Sequence, residues 1–152
     1  MYTLNKTFTV IVDYAHNELS FTKLYESIKL DYPSRRVISV GGGPGGKAYR
    51  RRKDFGLIVG EGSDYIYLTA EDPQYEEVSA ICADIAAYIP EKTKYEIIED
   101  RKEAVEKAIK NAKEGDVIVL LAKGEEDYQK VRGVFTPYES DLKIAKRMLG
   151  II

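Results

Sequence analysis

The only histidine of the chain, His16, follows Asp13 by three residues, and the pair stands at the end of the apolar run Val10-Ile11-Val12. A carboxylate and an imidazole in one turn can meet a polar ligand, or can serve as a helix cap beside a surface histidine. A second group is the run Gly41-Gly42-Gly43-Pro44-Gly45-Gly46-Lys47. It fits G-x-G-x-x-G through Gly41, Gly43 and Gly46, and G-x-x-x-x-G-K through Gly41, Gly46 and Lys47. Neither match is complete. Ala48 stands where a phosphate loop needs a hydroxyl, and Pro44 removes a backbone donor from the middle of the loop. The loop leads into Arg50, Arg51, Arg52 and Lys53 at the start of a helix, where the backbone dipole already disfavours cations. Such a cluster suits an anion supplied from outside, with a solvated basic turn as the plain alternative. Two acidic stretches complete the set. Glu71-Asp72-Pro73 suits a cationic group or a helix start, and Glu125-Glu126-Asp127 follows Lys123-Gly124, where a missing side chain lets the backbone approach a ligand.

The elements that carry these groups can be read from hydrophobic spacing. Val10–Val12 reads as a strand buried on both faces, and Phe21, Leu24, Tyr25 and Ile28 follow at helical spacing. Further strands are predicted at Val37–Val40, Tyr65–Leu68, Tyr95–Ile98 and Val117–Leu121, the last being the most apolar and the candidate for the sheet centre. Between them lie helices bearing Phe55, Ile58 and Val59; Val78, Ile81, Cys82 and Ile85 up to Pro90; and Ala104, Val105, Ala108 and Ile109, capped by Asp100 and closed by Gly115. Tyr128–Val131 and Val134–Thr136 flank Arg132-Gly133 as a hairpin, and Asp141 is predicted to cap a last helix. Strands alternating with helices imply one α/β domain over residues 1–152, three-layered and Rossmann-like, with a mostly parallel sheet of about six strands covered on both faces. In a parallel sheet all strands end on the same edge. Asp13 and His16, the glycine loop, Glu71-Asp72 and Lys123–Glu126 should therefore line one rim.

Composition excludes other classes. With 23 Lys and Arg against 25 Asp and Glu, the chain lacks the cationic excess that nucleic-acid binding requires. No apolar run approaches a membrane span, and Met1–Lys6 is too short and polar for a secretion signal, which makes the cytoplasm the expected compartment. The single cysteine, Cys82, lies on an apolar helical face and is expected to fill core space.

In order and spacing, these stations resemble the C-terminal (glutamate ligase) domain of the Mur ligases, the ATP-dependent amino-acid ligases of peptidoglycan synthesis. Nearest are the members that add the third stem-peptide residue to UDP-N-acetylmuramoyl-L-alanyl-D-glutamate. The resemblance rests on Val12–His16, Val40–Gly56, Thr69–Pro73, Asp100–Ala108 and Ala122–Gln129, and it covers nearly the whole chain from Phe8 onward. It implies that Asp13, His16 and Asn17 contact ATP, and that Lys47 with Arg51 or Arg52 meets the acyl phosphate or the carboxylate of the incoming amino acid. It also implies that Glu71, Asp72 and Gln74 read the far end of that amino acid, while Ala122, Gly124 and Glu126 hold its α-amino and α-carboxyl groups. The family's Asp-Asn-Pro-Arg falls on Glu71-Asp72-Pro73-Gln74, so the arginine that holds the distal carboxylate of meso-diaminopimelate is replaced by Gln74. An acidic pair without that arginine suits L-lysine. Mg2+ would be held mainly by a central ATPase domain, and the muramoyl dipeptide by an N-terminal UDP-binding domain, neither of which is found in these 152 residues. By itself such a domain, whether excised or a stand-alone relative, is expected to form no amide. The Asp-x-Ala-His-Asn run is also similar to folylpolyglutamate synthetase, and a nucleotide- or amino-acid-binding module without catalysis is a further alternative.

Overall fold

In the computed structural model, which describes residues 1–151, six strands form one sheet in the order β1-β2-β6-β3-β4-β5. β2 (Thr9–Asp13), β3 (Val37–Gly41), β4 (Tyr65–Leu68), β5 (Lys94–Ile97) and β6 (Val117–Leu121) are mutually parallel. β6 lies between β2 and β3 with all five residues buried, the position its uninterrupted apolar run demands. Its side chains divide by pleat. Val117, Val119 and Leu121 enter one core layer, and Ile118 and Leu120 enter the other. The first layer packs under α1 (Glu18–Asp31) and α4 (Val78–Ala86), the second under α5 (Arg101–Lys110) and α6 (Asp141–Leu149).

Several boundaries depart from the sequence reading. The polar N-terminus forms an edge strand, β1 (Tyr2–Asn5), antiparallel to β2, with Tyr2 opposite Val12. Its residues are mostly exposed, so no periodic apolar signal marks it. The helix after the glycine loop is composite. α2 (Arg50–Asp54) runs into a π-helical segment (Phe55–Val59) and then the short turn α3 (Gly60–Gly62). Phe55 and Val59 remain on the buried face, with Phe55 edge-on to Phe21 at 5.5 Å. β5 begins one residue earlier than expected. α5 ends at Lys110 with Asn111 as its cap, so Gly115 turns the chain into β6 and does not close the helix. Ser140, and not Asp141, caps α6, accepting from the Lys143 N–H at 3.1 Å. Asp141 is free for another task. The hairpin β7 (Tyr128–Val131) and β8 (Val134–Pro137) forms as expected, with Arg132 and Gly133 both at positive φ, the geometry of a two-residue turn.

Candidate functional site

The carboxyl edge of the sheet is built from four strand ends. At the end of β2, Asp13 Oδ1 accepts from the Ala15 N–H at 2.7 Å, which curls the chain into an Asx turn. Asn17 then starts α1 through a reciprocal cap with Ser20. The Asn17 side-chain oxygen is thus engaged in the cap. Between them His16 is exposed, and its Nδ1 lies 2.8 Å from the Tyr14 carbonyl. A carbonyl only accepts, so Nδ1 is the donor in this contact.

The glycine loop at the end of β3 passes close over neighbouring backbone. A side chain at Gly42 or Gly45 would overlap the carbonyl of Thr69 or Pro73. The loop's Gly45 N–H donates to the Asp72 carbonyl at 2.9 Å and Gly46 to the Glu76 carboxylate at 2.7 Å. Of the pattern glycines, Gly41 is pressed against the Phe55 ring, Gly43 makes only ordinary contacts and Gly46, at φ +72°, has open space around it. The basic cluster that follows divides. Arg52 is buried, paired to Glu76 and Asp84 at 2.8 Å each, bonded to the Pro44 carbonyl and stacked on Tyr49. Its anions come from inside the protein, contrary to the expectation of an external one. The Arg52 guanidinium and the Gly46 N–H hold the Glu76 carboxyl below the usual carboxylate range. Arg50 reaches Glu18 at 4.0 Å on the surface, whereas Lys47 is exposed and Arg51 half-buried without an ion pair among the described residues.

At the ends of β4 and β6 the acidic groups meet. Asp72 pairs with Lys123 at 2.8 Å and also accepts from the Lys130 N–H at 3.0 Å. Glu126 pairs with the same lysine at 2.7 Å. Gln74, at φ +52°, is tied to the hairpin by main chain and side chain, its Oε1 accepting from the Gly133 N–H at 3.0 Å. Glu71 differs. It is half-buried, and its carboxylate makes no hydrogen bond or ion pair among the described residues. Burial pushes its carboxyl above the usual range; the Arg101 guanidinium pulls it part of the way back, and Asp72 adds to the rise. Ala122 sits at φ +77°, a conformation an alanine adopts at a cost of about 1–2 kcal/mol. Its N–H donates to the Asp13 carbonyl at 2.8 Å, joining the first station to the last. Gly124 lies under the ring of Tyr14, whose hydroxyl accepts from the Glu125 N–H at 2.9 Å.

Beneath this rim lies a group that sequence reasoning missed. Arg101 is fully buried, forked onto Asp141 at 3.0 and 2.6 Å, and it donates to the Ala70 and Leu121 carbonyls at 3.0 and 2.6 Å. The Tyr138 hydroxyl completes the Asp141 shell at 2.6 Å. This single guanidinium clamps the ends of β4 and β6, the two strands that deliver Glu71 and Ala122. A cation in the first turn of α5, where the helix dipole disfavours it, was the available sign. Among the described residues no three His, Cys, Asp or Glu side chains converge as a metal-holding group. A cavity of about 720 Å³ opens at the opposite edge between α1 and the π-helical segment, away from all four stations.

Comparison with known proteins shows the family to which the chain belongs. Residues 1–124 match the family described as Mur ligase, glutamate ligase domain. The chain is 43% identical over 142 residues to the UDP-N-acetylmuramyl-tripeptide synthetase of Ligilactobacillus salivarius, covering 93% of this chain and 28% of that protein. It is 39% identical over 143 residues to the UDP-N-acetylmuramoyl-L-alanyl-D-glutamate--L-lysine ligase of Enterococcus faecalis, covering 93% of this chain and 28% of that one. It is 40% identical over 143 residues to the corresponding 2,6-diaminopimelate ligase of Aquifex aeolicus, covering 94% and 29%. The chain therefore spans less than a third of the length of the curated relatives it matches. A solved UDP-N-acetylmuramoyl-L-alanyl-D-glutamate--2,6-diaminopimelate ligase superposes with a TM-score of 0.87 at 24% identity, over 99% of this chain and 31% of that one, which establishes the shared fold. The rim of strand ends, the fold that builds it and these matches together place the chain in the Mur ligase family, as its C-terminal, glutamate-ligase domain.

Proposed function

We propose that this domain binds ATP and the incoming amino acid for an ATP-dependent ligase that adds L-lysine to UDP-N-acetylmuramoyl-L-alanyl-D-glutamate. The observation that carries the reading is Glu71, a half-buried carboxylate without a partner among the described residues, on an edge that receives the ends of β2, β3, β4 and β6. In that reaction ATP phosphorylates the D-glutamyl side-chain carboxylate, giving an acyl phosphate and ADP. The free amine attacks the acyl carbon, and inorganic phosphate leaves from the tetrahedral intermediate as the amide forms. Asp13, His16 and Asn17 meet the nucleotide. Lys47 and Arg51 meet the acyl phosphate or the amino acid's carboxylate, while Arg52, engaged with Glu76 and Asp84, braces the helix that carries them. Ala122, Gly124 and Glu126 hold the α-amino and α-carboxyl end, and Glu71 with Asp72 takes the far ammonium group. Mg2+, when bound with ATP, would supply charge neutralisation from ligands outside these residues. The cytoplasm is the compartment that holds this nucleotide, and no helix among the described residues is long and apolar enough to cross a membrane.

Lysine is favoured over a dicarboxylate because position 74 offers no cation and its amide oxygen is occupied by Gly133. Competing with this is the placement of Arg132, whose N–H donates to the Gln74 carbonyl and whose exposed guanidinium lies over the Tyr75 ring at 5.4 Å. That cation would serve a distal carboxylate and favours meso-diaminopimelate as a second reading. Titration of the 15N-labelled chain with L-lysine, meso-diaminopimelate, L-glutamate and Mg·ATP separates the two. We expect L-lysine to shift the amides of Glu71, Gly124 and Glu126, ATP those of Tyr14–Asn17, and glutamate neither. Stronger binding of meso-diaminopimelate that Arg132→Ala removes would overturn lysine. A response to ATP with none to any amino acid would leave a nucleotide-binding module.

A further inference from the structure

Three carboxylates crowd the rim, and they do not share it evenly. Lys123 is fully buried, with Nζ 2.8 Å from Asp72, 2.7 Å from Glu126 and 4.7 Å from the centroid of the Tyr128 ring. An ammonium group has three N–H donors and no acceptor, and burying one is tolerated only when its partners are in place. Two carboxylates and a π face supply them here. Each paired carboxylate is further fixed, Asp72 by the Lys130 N–H at 3.0 Å and Glu126 by the Tyr128 hydroxyl at 3.3 Å. Glu71 has no such tie. We propose that Lys123 is a positioning residue for the incoming amine: by engaging Asp72 and Glu126 it leaves Glu71 as the rim carboxylate that meets the ligand's ammonium group. This rests on the reading of the site as a receptor for a diamino acid, and narrows it from an acidic pair to one side chain.

The assignment has a consequence that a merely structural lysine would not produce. With Lys123 present, the ammonium group of a ligand depends on Glu71 alone. Without it, Asp72 and Glu126 are released, and either can take the ammonium in place of Glu71. The value of Glu71 should therefore depend on what stands at position 123.

The test compares binding of L-lysine with that of L-norleucine, which lacks the terminal ammonium, by calorimetry on four forms of the chain: unchanged, Glu71→Gln, Lys123→Met and the double variant. In the unchanged background Glu71→Gln should lower the lysine-to-norleucine affinity ratio about tenfold, the scale of one lost charge pair in a partly buried site. In the Lys123→Met background the same change should lower it less than about threefold, because the released carboxylates substitute. Lys123→Arg should keep the tenfold dependence. If Lys123→Met does not melt cooperatively, Lys123→Gln takes its place. An equal effect of Glu71→Gln in both backgrounds would overturn the proposal, as would no effect in the unchanged background when L-lysine binds. If the unchanged chain does not distinguish lysine from norleucine, the diamino-acid reading itself fails. The proposal then falls with it.

Discussion

The two edges of the sheet use the same residue types to opposite ends. At the amino edge, Arg36 forks onto Asp116, which also receives the Lys113 N–H. Asp64 takes the Val37 N–H at 2.8 Å, and Tyr25, Ser39 and Ser63 close a buried chain of hydroxyls. At the carboxyl edge, Lys47, Arg51, Glu71 and the outer nitrogen of His16 lack protein partners among the described residues. The cavity of about 720 Å³ lies at the edge whose polar groups are satisfied. Unengaged polar groups and open volume thus lie on opposite edges, and a polar group left without a partner at a partly buried position carries a cost that a ligand can relieve.

The sharpest way to break this contrast is to remove what holds the carboxyl edge together. Arg101→Met leaves Asp141 as a buried, unpaired charge and frees the Ala70 and Leu121 carbonyls. It should cost about 3–5 kcal/mol, read from the urea midpoint, and adding Asp141→Leu should recover much of that loss. Next come two glycines at positive φ on opposite edges. Gly124→Ala must displace the Tyr14 ring and should cost about 2–3 kcal/mol, whereas Gly115→Ala, at φ +84° with open space around it, should cost only about 1 kcal/mol of backbone strain. Equal losses would mean that Tyr14 packing contributes nothing. The smallest expected effect is a pH slope. The raised Glu71 carboxyl keeps its proton in the folded state after the unfolded chain has released it, so stability falls as pH rises from the ordinary carboxylate value to the raised one, then levels off. Glu71→Gln should abolish that slope and be the more stable form at neutral pH. An unchanged slope would show that Glu71 is not desolvated in the fold.

Strands β2, β3, β4 and β6 and the cap at Asp100 were legible because each is written in contiguous residues, by apolar runs and cap chemistry, whereas the first helix is capped by Asn17 and not by Asp13. The convergence of the four stations followed from parallel strand order alone. What escaped the reading is pairing at a distance. Lys123 and Asp72 are 51 residues apart, and Arg101 and Asp141 are 40 apart. Nothing local distinguishes a buried, paired lysine from a solvated one. Arg52 shows the same limit, because its partners Glu76 and Asp84 lie beyond β4. The glycine loop was ambiguous for the converse reason: close passage of one backbone over another and a phosphate cradle demand the same absence of side chains. β1 was invisible because an exposed edge strand needs no apolar period.

β1 also gives the molecule an address. Tyr2 lies opposite Val12, next to Asp13, and its hydroxyl donates to Glu125 at 2.7 Å, so the start of β1 stands at the carboxyl edge of the sheet. A fluorophore carried on β1 would report a ligand at the proposed site through a change in emission. The same dye directed to Cys82 would find a thiol with no solvent exposure, whose pKa burial has pushed up to about 12, and would label only unfolded molecules. One chain thus offers two optical reporters, one for binding and one for unfolding.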